Sequence, residues 1–213
     1  MNENVKKVFD KRIDKIIKNL EKRNMAGYHV ENKEELFKVI DQIVPNGKSV
    51  SVGGSMTLFE TGVIDYLRNR EVKFYDRYKE GLTKEEIKEI YFQSFQVDGY
   101  FCSSNAITEE GELFNVDGNG NRVAAMIYGP EKVIMIVGTN KIVKDIDAAI
   151  ERNRKIAAPV NVQRLSRKTP CFETGYCTNC NSPERICNAH VVIDGQMIKD
   201  RINVIFIDGD FGY

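Results

Sequence analysis

Ser49-Val50-Ser51-Val52-Gly53-Gly54-Ser55-Met56-Thr57-Leu58-Phe59-Glu60-Thr61-Gly62 decides the fold. Residues 49–52 form a short apolar strand that runs straight into two glycines, and a helix follows over about 57–69. A strand, a glycine turn and a helix make half of a parallel βαβ unit, because parallel strands need a crossover between them. The unit recurs along the chain. Residues 72–75 predict a strand, and 83–93 a helix opened by Thr83-x-x-Glu86, a capping box. Residues 99–102 predict a strand ending in the polar loop Ser103-Ser104-Asn105. Residues 113–116 form a strand or hairpin arm, 123–128 a short helix ended by Gly129-Pro130, and 132–137 the most apolar strand. A helix follows over 143–156.

Working outward, Val5, Val8, Phe9, Ile13, Ile16, Ile17 and Leu20 keep helical spacing and predict a long first helix within segment 1–26. Its apolar face can pack on its own domain or on a second subunit, so a homo-oligomer stays open. Residues 28–30 are extended, and 34–44 predict a second helix ended by Pro45 and the Asn46-Gly47 turn. Composition changes after Pro159; 170–188 are cysteine- and turn-rich, and 191–193 and 204–207 predict late strands. The expected class is α/β, a Rossmann-like, mainly parallel sheet with helices on both faces, in one domain over 1–213.

The 213 residues are 42% apolar, with 31 acidic and 31 basic side chains. A chain of this length buries roughly 70% of its unfolded surface and needs no disulfide staples. Zero net charge argues against broad electrostatic binding to nucleic acid or anionic lipid. No apolar run approaches the ~20 residues of a membrane span, and residues 1–20 lack a signal peptide's apolar core. A cytoplasmic location is expected, where thiols stay reduced.

Three polar loops follow strands and face a common crevice. In the first, Gly53 and Gly54 let a ligand approach the backbone, and Ser55 and Thr57 add hydroxyl donors at a helix start that attracts anions. The pattern is neither a P-loop nor G-x-G-x-x-G. Ser55 or Thr57 can equally cap the helix, with Thr57-x-x-Glu60 as a capping box. In the second, Ser104 and Asn105 can bind a substrate, and Glu109, Glu110 and Glu112 offer carboxylates, Glu110 fitting a solvated turn best. In the third, Asp117-Gly118-Asn119-Gly120 is a compact turn, and Asn121 and Arg122 open the next helix, Arg122 being a natural partner for a phosphate or carboxylate. These loops predict a small anionic metabolite as ligand, with Glu60 or Glu109 as base or nucleophile if chemistry occurs.

Cys171-x5-Cys177-x2-Cys180-x6-Cys187 puts four thiols in one short stretch. Such a set can close on Zn²⁺ or an iron–sulfur cluster, although the spacing matches neither the two-knuckle zinc ribbon nor the bacterial ferredoxin run. A redox disulfide at Cys177 and Cys180 competes. Cys102 suits a buried small hydrophobe, and His29 and His190 suit structural roles. Neither histidine is near Cys102 in sequence, which argues against a hydrolase triad.

These residues together resemble the LUD family, the lactate-utilisation domain proteins. The resemblance rests on residues 53–62, on Ser104-Asn105-Ala106-Ile107-Thr108-Glu109-Glu110-Gly111, on Asn119-Gly120-Asn121-Arg122-Val123-Ala124, and on Gly129-Pro130. It continues through Val137-Gly138-Thr139-Asn140-Lys141-Ile142-Val143 and Ala157-Ala158-Pro159. The tail with Asn181-Ser182-Pro183-Glu184-Arg185-Ile186-Cys187 looks like that of a small stand-alone branch. The resemblance implies a fold similar to ribose-phosphate isomerases and CoA transferases, a place in lactate or related hydroxy-acid utilisation, and iron–sulfur or oxidoreductase partners. It favours a [4Fe–4S] cluster over zinc. An isomerase or acyl-CoA transferase-like enzyme, and a non-catalytic redox or assembly subunit, remain the alternatives. No single glutamate maps onto the transferase nucleophile.

Overall fold

The computed structural model describes residues 2–213. Asn2 caps α1 (Glu3–Lys22), which leads through β1 (Ala26–Val30) and α2 (Lys33–Ile43) to β2 (Ser49–Val52). Then come α3 (Met56–Glu60), α4 (Val63–Arg68), β3 (Lys73–Tyr75), α5 (Lys84–Gln93) and β4 (Gly99–Cys102). The middle holds β5 (Ala106–Thr108), β6 (Leu113–Asp117), α6 (Asn121–Ile127), β7 (Lys132–Gly138) and β8 (Ile142–Val143). The remainder is α7 (Ile146–Arg152), α8 (Ala158–Leu165), α9 (Pro170–Thr174), β9 (Ala189–Ile193) and β10 (Ile202–Ile207).

Six strands form one sheet in the order β1-β10-β7-β4-β2-β3, and every neighbouring pair is parallel. β7 shows why. Val133, Met135 and Val137 enter one core, while Ile134 and Ile136 enter the other. A strand apolar on both faces must lie in a sheet covered on both sides. α1 and α6 close one face through Ile13, Ile16, Leu20, Val123 and Met126. α2, α3 and α4 close the other through Leu36, Ile40, Leu58, Ile64 and Leu67. The later half of α1's apolar stripe is thus buried in its own domain, Ile13, Ile16 and Leu20 each contributing about 1.5–3 kcal/mol, while Val5 and Val8 stay exposed.

From β2 the chain moves outward to β3, whereas from β4 it moves the opposite way to β7 and β10. The boundary between β2 and β4 is therefore the switch point, where the loops part and leave a crevice at the carboxyl ends of the strands.

Some elements differ from expectation. The helix predicted over 57–69 is two helices, because Gly62 sits at φ 79° and turns the chain between α3 and α4. The capping box at Thr57 and Glu60 does not form, since Ser55 is the N-cap residue and its side chain makes no capping bond. The helix over 143–156 starts only at Ile146, runs through one turn of π-helix at Asn153–Ala157, and passes into α8. A second sheet, β8-β5-β6-β9, adds the unpredicted β5 and β8, three and two residues long, and takes the predicted 113–117 and 189–193 strands out of the main sheet. Among the described residues, no helix is long and apolar enough to cross a membrane.

Candidate functional site

A cavity of about 490 Å³ opens at the carboxyl ends of β2, β4 and β7. The loop after β2 contributes Gly54 and Ser55, that after β4 contributes Ser103, Ser104 and Asn105, and that after β7 contributes Lys141. Asn121 and Arg122 arrive at the start of α6, so all three sequence-predicted loops meet here. Six cationic residues line the space, Arg77, Arg122, Lys141, Arg164, Arg167 and Arg185, against two carboxylates, Asp117 and Glu184. The chain as a whole carries no net charge, so this excess is local.

The backbone explains the first loop. Gly53 still belongs to the sheet, its N–H donating to Phe101 O at 2.8 Å. A Cβ there would lie 2.8 Å from the Tyr100 hydroxyl and 3.0 Å from Arg122 Cγ, so glycine is required by packing. Gly54 faces the cavity, and its nearest neighbour, Arg77 Nη1, would be a comfortable 3.7 Å from a Cβ. Thr57 is buried; its hydroxyl donates to Phe211 O at 3.0 Å and accepts from Lys141 Nζ at 2.7 Å.

Arg122 turns out to build the site. Its Nη1 donates to Ser103 O at 2.9 Å and Asn115 Oδ1 at 2.8 Å. Its Nη2 donates to Asn105 Oδ1 at 3.0 Å and Val116 O at 2.8 Å, and Nε faces Asp117 at 3.4 Å. The sequence points to Arg122 as a partner for the anion, but its guanidinium is consumed by protein acceptors and has no donor left for one. Ser104 is likewise spent, donating to Ala106 O or Phe114 O. Asn105 Oδ1 also accepts from Val116 N, which leaves the Asn105 amide NH₂ for the cavity.

The two glutamates do not reach the cavity. Glu60 is exposed, and its carboxylate accepts from Gly212 N at 2.6 Å. Glu109 sits in the β5–β6 turn and faces α1, with Arg12 and Lys15 each 3.7 Å away. Neither is placed as a base or nucleophile for this space. Glu110 pairs with Lys15 at 2.8 Å as a solvated ion pair.

Lys141 is the residue that sequence reasoning missed. It is 2% exposed, and its Nζ donates to Thr57 Oγ1 and to Ser103 Oγ at 3.0 Å. Burial pushes its pKa down to about 7, and the cationic Arg152 and Arg122 push the same way, against Glu60 and Cys102. The available signal was position: a lysine just past the end of the most apolar strand. Nearby Cys102 is fully buried, which raises its thiol to about 12 and leaves it a small hydrophobe.

Cys171, Cys177, Cys180 and Cys187 converge on a second, smaller pocket beside the cavity, and all are free thiols. Burial, then the neighbouring Cys177 and Cys171, raises the Cys187 thiol to about 11. Among the described residues no three of these sulfurs lie within 4.8 Å of one another. Tetrahedral zinc with bonds of ≈ 2.3 Å needs sulfurs about 3.8 Å apart, whereas a cubane cluster spreads them over four irons. Four thiols around one pocket are a donor set that either group can use. Arg185 and Ile186 line both pockets, so the cysteine segment is also a wall of the cavity. Arg185 Nη2 donates to Cys187 O at 2.8 Å. His190 lines the thiol pocket and packs edge-on against Phe114.

A separate group, Asp10, His29 and Asp208, also converges. Lys6 already supplies its cation, 3.4 Å from Asp10 and 3.6 Å from Asp208. His29 Nε2 pairs with Asp208 at 2.8 Å, a structural role.

The LUD domain family model matches residues 13–207. No curated protein matches. A solved structure of a DUF162 family protein from Deinococcus radiodurans is similar over 94% of this chain and 98% of that one, with 12% identity and a TM-score of 0.52. Ribose 5-phosphate isomerase from Plasmodium falciparum is similar over 53% of this chain and 52% of its own, with 13% identity and a TM-score of 0.33.

Proposed function

The chain belongs to the LUD domain family, and from that premise we propose that it binds a small anionic metabolite in the cavity and acts in the utilisation of lactate or a related hydroxy acid. One observation carries this reading: five arginines, besides Lys141, against two carboxylates in a cavity at the switch point of a chain with no net charge. A concave site with low-dielectric walls concentrates that field and attracts anions. Arg77, Arg164 and Arg167 supply charge, while Ser55, Asn105 and Asn121 supply neutral donors that fix orientation.

The cysteine pocket supports a linked role in electron transfer, with Cys171, Cys177, Cys180 and Cys187 as the ligands of a [4Fe–4S] cluster. Such a cluster accepts and passes on single electrons, and iron–sulfur or oxidoreductase proteins are the partners it would serve. The chain's own part is to hold the four thiolates and shield them. The transferase alternative needs a glutamate in the cavity, and Glu60 and Glu109 both lie elsewhere.

Calorimetry and thermal shift with lactate, pyruvate, glycolate, ribose 5-phosphate and acetyl-CoA test the reading. Small carboxylates should bind and raise the melting temperature. Unchanged stability and no heat with every anion would overturn it.

A further inference from the structure

We propose that Lys141 is the reactive amine of this cavity and that its Nζ condenses with the carbonyl of a small 2-oxo carboxylate to form an imine. The proposal rests on the anion-binding reading for the place of the carboxylate, and on the geometry around Nζ for the chemistry.

Both hydrogen bonds of Nζ have a fixed direction. The Thr57 hydroxyl spends its proton on Phe211 O at 3.0 Å, so it accepts from Lys141. The Ser103 hydroxyl donates to Ser104 O at 3.4 Å, so it accepts as well. Two N–H bonds are thereby used, and the remaining position on a neutral amine is its lone pair. Among the described residues, no carboxylate lies within 4.0 Å of Nζ, in contrast to Lys48, which is 2.8 Å from Asp98. The repulsion is fixed in place. Arg152 is held by Asn140 O at 3.0 Å and Asn105 O at 2.6 Å, and Arg122 by the contacts described above. A buried ammonium without a carboxylate partner is costly, and the environment brings the neutral amine within reach near pH 7, far below the range of a solvated lysine. A desolvated amine beside cationic groups, lining a cavity for carbonyl-bearing anions, is the arrangement of an amine nucleophile.

The step balances without oxidant or reductant. The Nζ lone pair attacks the carbonyl carbon, the carbonyl oxygen takes the two amine protons and leaves as water, and a C=N bond replaces C=O. Ser103 Oγ and Thr57 Oγ1 hold the amine for the attack and release its two protons to the departing oxygen. The Asn105 amide and Ser55 are placed to meet the adjacent carboxylate. A 2-oxo acid is the two-electron oxidation product of a 2-hydroxy acid, so one cavity suits both.

The full chain incubated with pyruvate and sodium cyanoborohydride, then analysed by intact mass and peptide mapping, tests this. The expected result is one reduced pyruvyl adduct per chain, on Lys141, and none in Lys141→Arg. If pyruvate binds by calorimetry but Lys141 stays unmodified, the amine proposal falls and anion binding stands. A second measurement needs no anion and no variant: reductive methylation with formaldehyde and cyanoborohydride. Lys141 should methylate at pH 7 ahead of the exposed lysines. If it reacts only at the high pH typical of surface lysines, the proposal is overturned.

Discussion

Arg122 Nη1 donates to Asn115 Oδ1 at 2.8 Å, and both side chains are buried in the cavity wall. The same guanidinium holds Ser103 O, Asn105 and Val116 O, so it joins the loop after β4 and strand β6 to α6. Arg122→Lys keeps the charge but loses the planar fork. It should cost about 3 kcal/mol, because buried acceptors and Asp117 lose their partner. Urea unfolding measures this. An unchanged midpoint with weakened anion binding would return Arg122 to the role of ligand group.

The thiol pocket predicts metal content and a coupling. Anaerobically purified protein should be brown and contain iron, and Cys177→Ser with Cys180→Ser should remove both colour and iron. Because Arg185 and Ile186 are shared walls, the same double variant should also weaken anion binding in the cavity. Iron analysis and calorimetry on one preparation check both. Colourless protein with one equivalent of zinc would refute the cluster, and unaltered anion affinity would refute the coupling.

Cation excess predicts salt dependence. Arg164 is exposed; its guanidinium bonds Asn161 of its own helix and lies beside the Tyr213 hydroxyl. Arg164→Ala should leave unfolding within about 0.5 kcal/mol of the parent chain. It should weaken a carboxylate ligand about tenfold, the effect of one charge-assisted bond. Affinity should also fall as ionic strength rises. Calorimetry at two salt concentrations reads both effects.

The main sheet was legible because its central strands β4, β7 and β10 are apolar on both faces, and because β2 and β4 end at a glycine pair and a polar loop, after Val52 and Cys102. Of the second sheet, the arms at 113–116 and 191–193 were legible, but β5 and β8 were not, since Ala106–Thr108 is three residues long and Ile142–Val143 two. Meeting of the three loops followed from their position after strands. Which side chain in each faces the cavity did not. Arg122 and Lys141 show the reason. Both are basic in sequence and both are buried, yet one is consumed by carbonyls and amides while the other meets two hydroxyls and no carboxylate, and only their tertiary partners separate them. Glu60 and Glu109 misled for the same reason: spacing placed them near the loops but not on the inner side.

Lys141 should leave a mark on stability as a function of pH. Its folded-state pKa, about 7, lies below the 10.5 of a solvated lysine. Above pH about 10.5 the amine is neutral whether the chain is folded or not, and it contributes nothing through titration. As pH falls from there, the unfolded chain takes up a proton that the folded chain refuses, so the folded state loses stability. The loss grows down to about pH 7 and then levels off, because the folded amine protonates too. Lys141→Met removes this titration and leaves no hydroxyl proton stranded, since Thr57 and Ser103 donate elsewhere. The variant should therefore be more stable than the parent chain at pH 7, and its advantage should shrink steadily towards pH 10. Chemical denaturation of both chains across that range measures it. A pH-independent difference would mean that Lys141 is charged in the folded protein and that the neutral amine is not its resting form.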